Sequence, residues 1–140
     1  MRRSRIVTMH FLAKNVKVDD QMNVFLVVCF EDAQGDRVAL QRAYRFDGDH
    51  VCMGQPYFFH YHGRWPEPDH LDWGGPGIVR SLELQRGKVV VTLDDTVARH
   101  PRGVSAFEVE FDLPDERFAQ LRIAMSRCFD EFDWYVDHAA

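Results

Sequence analysis

Cysteine is scarce in this chain. There are three in 140 residues, at 29, 52 and 128, an odd number with no CxxC spacing. That argues against a disulfide framework and against paired-thiolate zinc modules, and reads as small buried thiols in a reducing compartment. Positive charge is short as well: 17 Lys and Arg against 22 Asp and Glu leave a formal charge of −5, which does not favour nucleic acid, a partner that calls for a basic face. No run approaches the roughly 20 apolar residues of a membrane helix. The basic start MRRSRIV has no apolar stretch of secretory-signal length behind it. The expectation is a cytoplasmic protein with neither a membrane nor a nucleic-acid partner. Also missing are internal repeats, low-complexity tracts and a glycine-rich phosphate loop opening a helix. Ser4, Ser81, Ser105 and Ser126 lack the surroundings of an activated nucleophile. Neither an enzymatic activity nor a cofactor is expected.

What is present is the composition of one globular domain spanning 1–140: 46% hydrophobic and 28% charged residues, enough for a single core. Residues 5–17 alternate and predict a first strand. VFLVVCF (24–30) is a continuous apolar run, expected as a strand covered on both faces. Residues 37–46 alternate, with Arg42 interrupting the apolar side, and 51–62 predict a fourth strand broken near Gly54 and Pro56. Proline there suggests an edge or a bulge. Residues 78–84 and 89–93 form a hairpin around Arg86 and Gly87, and Phe107, Val109 and Phe111 alternate with Glu108, Glu110 and Asp112 on a wet, acidic face. A helix then starts near Pro114, with Phe118, Leu121, Met125, Cys128 and Phe132 on one stripe that can continue to Tyr135. The class that follows is α+β: a mainly antiparallel sheet of about seven strands with the C-terminal helix packed on it.

The unusual stretch is Tyr57–Gly77, YFFHYHGRWPEPDHLDWGGPG. Parity puts Tyr57, Phe59 and Tyr61 on one face of its strand and Phe58, His60 and His62 on the other. Three prolines and three glycines after Gly63 predict a long irregular loop, the kind that carries function. The spacing Gly54, His60-x-His62, Glu67, Gly74 is similar to the first metal motif of the cupin family, although the second cupin motif has no counterpart after residue 77. Two histidines at i and i+2 on a strand, with Glu67 beyond the turn, give the alternative reading of a metal or small-ligand binder. Asp69, His70 and Asp72 form another possible cluster. Trp65 and Trp73 lie among glycine and proline, a setting common at interfaces.

The order of these segments resembles the bacterial immunity protein 10 family over roughly residues 6–130. The resemblance is carried by Leu40-Gln41-Arg42, the acidic turn from Asp47 to Gly54, the aromatic strand Tyr57 to Tyr61, the glycines 74–77, the hairpin Leu84 to Leu93, and the acidic strand leading into a helix. It implies a small non-enzymatic protein that binds and neutralises a cognate toxin. Tyr57, His60, His62, Trp65 and Trp73 are then the candidate partner-binding residues, the acidic strand a second candidate face. A dimer paired through the strand Tyr57–His62 is a further possibility.

Overall fold

A computed structural model describes residues 7–21, 25–43, 57–63, 71–94 and 103–139. Among them ten strands and one helix follow in order: β1 (Thr8–Leu12), β2 (Asn15–Gln21), β3 (Phe25–Glu31), β4 (Arg37–Ala43), β5 (Tyr57–Gly63), β6 (Leu71–Pro76), β7 (Val79–Leu84), β8 (Lys88–Leu93), β9 (Ala106–Glu110), α1 (Asp115–Phe129) and β10 (Tyr135–Asp137). The α+β class holds, but the strands form two five-stranded sheets and not one of seven. The first has the order β1-β9-β8-β7-β10 and the second β2-β3-β4-β5-β6. The second is an antiparallel meander, whereas the first has parallel pairs at both ends, β1 with β9 and β10 with β7.

The expected first strand, 5–17, is divided between the two sheets. Ala13 N–H donates to the Glu110 carbonyl of the first sheet at 2.8 Å, and the next residue, Lys14, donates to the Glu31 carbonyl of the second at 2.7 Å. One alternating segment therefore supplies an edge strand to each sheet, and the change happens within a single peptide unit.

The inner faces of the sheets share one core. In β3 the side chains Leu26, Val28 and Phe30 are fully buried while Val27 and Cys29 are only half-buried. The apolar run is thus covered on one face, which corrects the expectation of burial on both. Phe59 and Tyr61 of β5 meet Phe107 of β9 across the sandwich, with ring centroids 5.2 and 5.5 Å apart. Arrangements of this kind add to plain area burial. The helix lies against β2, β3 and β4, burying Phe118, Leu121, Ala124, Met125, Cys128 and Phe129. Pro114 stands at its N-cap without a side-chain cap, and Asp115 and Glu116 in the first turn complement the dipole. Phe132 and Tyr135 fall outside the helix. Phe132 stacks on Trp134 at 4.7 Å, and Tyr135 opens β10.

In the hairpin β7–β8, the register shifts between Val79 and Ser81. The bulge turns both Ile78 and Val79 inward and leaves Arg80 exposed, so Arg80 does not share the face of Leu82 and Leu84 as simple alternation predicts. The turn at Arg86 and Gly87 is as expected, with Gln85 N–H donating to the Lys88 carbonyl at 2.8 Å.

Arg42, the residue that interrupts the apolar side of β4, is used at the end of the core. Its guanidinium donates to the Cys128 carbonyl at 3.4 Å, pairs with Glu131, and lies 5.5 Å from the centre of the Phe132 ring. A cation at the C-terminal end of α1 interacts favourably with the helix dipole and caps a carbonyl that has no intrahelical partner.

Candidate functional site: the outward face of the second sheet

The expected loop Gly63–Gly77 is partly a strand. Leu71–Pro76 pairs antiparallel with β5 in the register Tyr61↔Trp73, His62↔Asp72, Gly63↔Leu71. Glycines 74 and 75 do not break the strand, and Gly74 lets it close on its neighbour. A Cβ on Gly74 would lie 2.7 Å from the His60 Cα and nearer still to the Phe59 carbonyl oxygen. Pro76 sits at the strand's end, where a missing donor is tolerated. With β6 in place, β5 is an interior strand between β4 and β6. Of the two expectations for this strand, an edge or a bulge, the edge is corrected, and with it dimer pairing through Tyr57–His62; the break near Gly54 and Pro56 lies outside the described residues.

The partner-binding candidates divide. Tyr57 is core: 7% exposed, packed edge-on against Phe129, Phe132 and Trp134, with its hydroxyl donating to the Val79 carbonyl at 3.3 Å. Burial pushes its phenol above the ordinary value, partly offset by that hydrogen bond. Trp73 is half-buried and turned inward, its ring edge-on to Phe59 at 6.2 Å. These two are not surface anchors, because parity and cross-strand register commit them to the inner face. His60 and His62 point outward, each with 37% of its side chain exposed. Trp65, Glu67, Asp69 and His70 lie outside the described residues.

Register then builds the outward face. One row across it runs Lys17, Cys29, Ala39, His60 and Gly74; the next runs Glu31, Arg37, His62 and Asp72; on the other side lie Asp19, Val27, Gln41 and Phe58. Val27, Cys29, Ala39 and Phe58 are half-buried in its middle, with charged residues around them. Phe58, His60 and His62 make a ladder of rings along β5, with successive centroids 6.3 and 6.4 Å apart. Asp72 is the carboxylate beside the pair, in the place where sequence spacing pointed to Glu67. Its Oδ1 is hydrogen-bonded to His60 Nε2 and lies 3.8 Å from His62 Nδ1. Alternation through Asp72, Trp73 and Gly74 was the available signal for this placement, obscured by the glycine and proline content of the segment.

No family model, curated protein or solved structure matches this chain.

The chemistry open to the face is limited by distance. Cys29 is the thiol nearest in the row, but Ala39 stands between it and His60. Two inter-strand spacings of about 4.8 Å put it roughly 10 Å away, beyond hydrogen-bond reach of a base. Burial also raises the Cys29 thiol above its ordinary value, against the pull of Arg37, so it is held as the thiol and not the thiolate. Among the described residues, as their side chains stand, no group of three or more His, Cys, Asp and Glu is arranged to hold a metal ion. Two open grooves lie elsewhere. One of about 620 Å³ is bordered by Leu12, Lys14, Lys88 and Asp112, and one of about 340 Å³ runs between β2 and α1 beside Val18 and Arg117.

The acidic strand is less acidic in place than in sequence. Lys88 Nζ is 3.0 Å from Glu108 Oε1 and His10 Nδ1 is 3.9 Å from Glu108 Oε2. The hydrogen bond from Lys88 holds the Glu108 carboxyl below its ordinary value.

Proposed function

We propose that this protein acts by binding another protein, as an immunity-like inhibitor that occludes a cognate bacterial toxin domain, and that the outward face of the second sheet is the contact surface. The observation that carries this reading is the ladder Phe58, His60 and His62. It stands on an interior strand, flanked by half-buried Val27, Cys29 and Ala39, and is open to solvent. An aromatic and apolar centre with a charged rim is the anatomy of a recognition surface. A hydrogen-bonded sheet presents it with little conformational entropy left to lose on binding. The order of segments around Leu40-Gln41-Arg42 supports the immunity-like reading in particular. The mechanism involves no covalent step: Phe58 and the two imidazoles cover the toxin's working surface and exclude its substrate. Glu110 and Asp112, both exposed, offer a second face for a basic partner.

The test is co-expression with the polypeptide encoded beside this chain. The expected result is a co-eluting complex and relief of that polypeptide's toxicity. Phe58→Asp should abolish both while leaving the unfolding midpoint unchanged. A neighbour that neither harms cells nor co-elutes, or a complex indifferent to Phe58→Asp and His60→Ala, refutes the assignment.

A further inference from the structure

We propose, independently of the partner-binding reading, that β2 is a dimerisation edge: two copies of this chain pair antiparallel through it about a two-fold axis at Val18, joining their second sheets into one. Among the described residues β2 pairs with β3 alone. Lys17, Val18, Asp19 and Asp20 are all exposed, and an open groove of about 340 Å³ runs along the strand, bordered by Val16, Val18, Leu113, Arg117 and Leu121. Backbone direction decides which groups this edge offers. The Glu31 carbonyl turns toward β2, accepting from Lys14 N–H at 2.7 Å, and Glu31 is the cross-strand partner of Asn15. Alternation then sends the N–H and C=O of Asn15, Lys17 and Asp19 to β3, and those of Val16, Val18 and Asp20 to the open side. The Val16 carbonyl agrees: it accepts from the Arg117 guanidinium, a group outside the sheet, at 2.7 Å. An open row of this kind is a template for another strand.

The side chains select a second copy as the occupant. The open side admits two-fold registers centred on Val16, Val18 or Asp20. Centred on Asp20, two like carboxylates oppose each other. Centred on Val16, only residues 15–17 of each strand are opposed, because Lys14 already belongs to the crossing between sheets. Centred on Val18, the whole of Asn15–Gln21 is opposed, and the charges match. Lys17 meets Asp19 of the second copy on the outward face, twice by symmetry. On the inner face Asp20 lies opposite Val16, whose carbonyl the Arg117 guanidinium holds. Each Asp20 carboxylate thus approaches Arg117 of the second copy while Arg127 of its own chain stays at 3.0 Å. Opposite charges across strands attract, and like charges in the same places repel. Val18, 44% exposed in the single chain, is covered by its own symmetry mate. Ile123, 62% exposed and one turn from both Gln120 and Arg127, adds apolar surface on that side of α1. The interface is isologous, the same patch on both copies. Its axis is perpendicular to the joined sheet, so both ladders of Phe58, His60 and His62 lie on the same side of it.

The experiment is sedimentation equilibrium of the full chain alone over a range of concentrations. A reversible dimer is expected. Lys17→Asp, which sets like charges against Asp19 of the second copy at two places, should weaken dimerisation by about tenfold or more. The charge swap Lys17→Asp/Asp19→Lys, which restores opposite signs, should return it to within about threefold of the parent. Val18→Pro removes a central donor that faces solvent in the single chain, so it should abolish the dimer with the far-UV circular dichroism unchanged. A chain that stays monomeric into the high micromolar range, a dimer that tolerates Lys17→Asp, or one that the swap does not restore overturns the proposal. So does a monomer whose co-expressed partner is lost with Val18→Pro, because the edge then belongs to a strand of that partner.

Discussion

Alanine at Gly74 should open the seam between β5 and β6, whereas alanine at Gly75 should not. A Cβ at Gly74 falls 2.7 Å from the His60 Cα, about an ångström short of the 3.5–4.0 Å at which two carbons rest. It falls nearer still to the Phe59 carbonyl oxygen. Both obstacles are main-chain atoms of the neighbouring strand, so no rotamer change relieves the clash and the two strands must part. Overpacking of this kind costs about 1–3 kcal/mol, and each ladder hydrogen bond lost adds about 0.5–1.5 kcal/mol. At Gly75 a Cβ meets only Ile78 Cγ2, at an ordinary 3.8 Å, and the backbone there is not among the left-handed glycines. Gly75→Ala should then be neutral or stabilising by about 0.4–1 kcal/mol, through the reduced entropy of the unfolded chain. Urea unfolding followed by tryptophan fluorescence separates the two. With a slope of about 1–3 kcal/mol/M, a gap of about 2 kcal/mol or more puts the Gly74→Ala midpoint roughly 1 M below that of Gly75→Ala. A Gly74→Ala midpoint equal to the parent's, or two variants destabilised alike, would refute the close approach of β6 to β5 and with it the placing of Asp72 beside the histidines.

Two other outcomes follow from the core. Arg42→Met should lower the unfolding free energy by about 1–2 kcal/mol, because the Cys128 carbonyl loses its donor. Glu131→Gln should cost less than about 0.5 kcal/mol, since Glu131 is more than half exposed; equal losses in urea titrations would contradict this division. Alkaline pH should destabilise the fold. Burial pushes the Cys128 thiol from 9.0 to about 12, and burial with nearby Asp36 and Asp32 pushes the Tyr61 phenol from 10.0 to about 12. Each group favours the folded state fully below its ordinary value, and that contribution is lost as pH rises through about 12. Urea midpoints should therefore fall steadily from pH 9 upward, and Cys128→Ala should flatten the first part of the decline; a level profile would contradict the burial of both groups.

The period-two pattern of Tyr57 to His62 correctly put Tyr57, Phe59 and Tyr61 inward and Phe58, His60 and His62 outward, and the helical stripe Phe118, Leu121, Met125 and Cys128 found the buried side of α1. Both are local: a strand or helix imposes its period on neighbouring residues whatever it packs against. The turn at Arg86 and Gly87 was legible for the same reason. Alternation failed at Val79 and Arg80, where a bulge resets the parity, and bulges are set by the partner strand.

The candidate site was half legible. His60 and His62 stood out in the sequence, but their carboxylate did not, because LDWGGP carries the residues of a loop and becomes a strand only against β5. Tyr57 and Trp73 stood out for their chemistry and proved to be spent on the core. The sequence by itself determined the class, the inward and outward residues of most strands, and the face on which the histidines lie, since these depend on backbone periods and on keeping apolar groups from water. Only the tertiary structure decided the division into two sheets at Ala13 and Lys14, the parallel pairing of β1 with β9 and of β10 with β7, and the meeting of Asp72 with the imidazoles. Those depend on contacts between residues far apart in the chain, whose partners are selected by the packing of the whole domain.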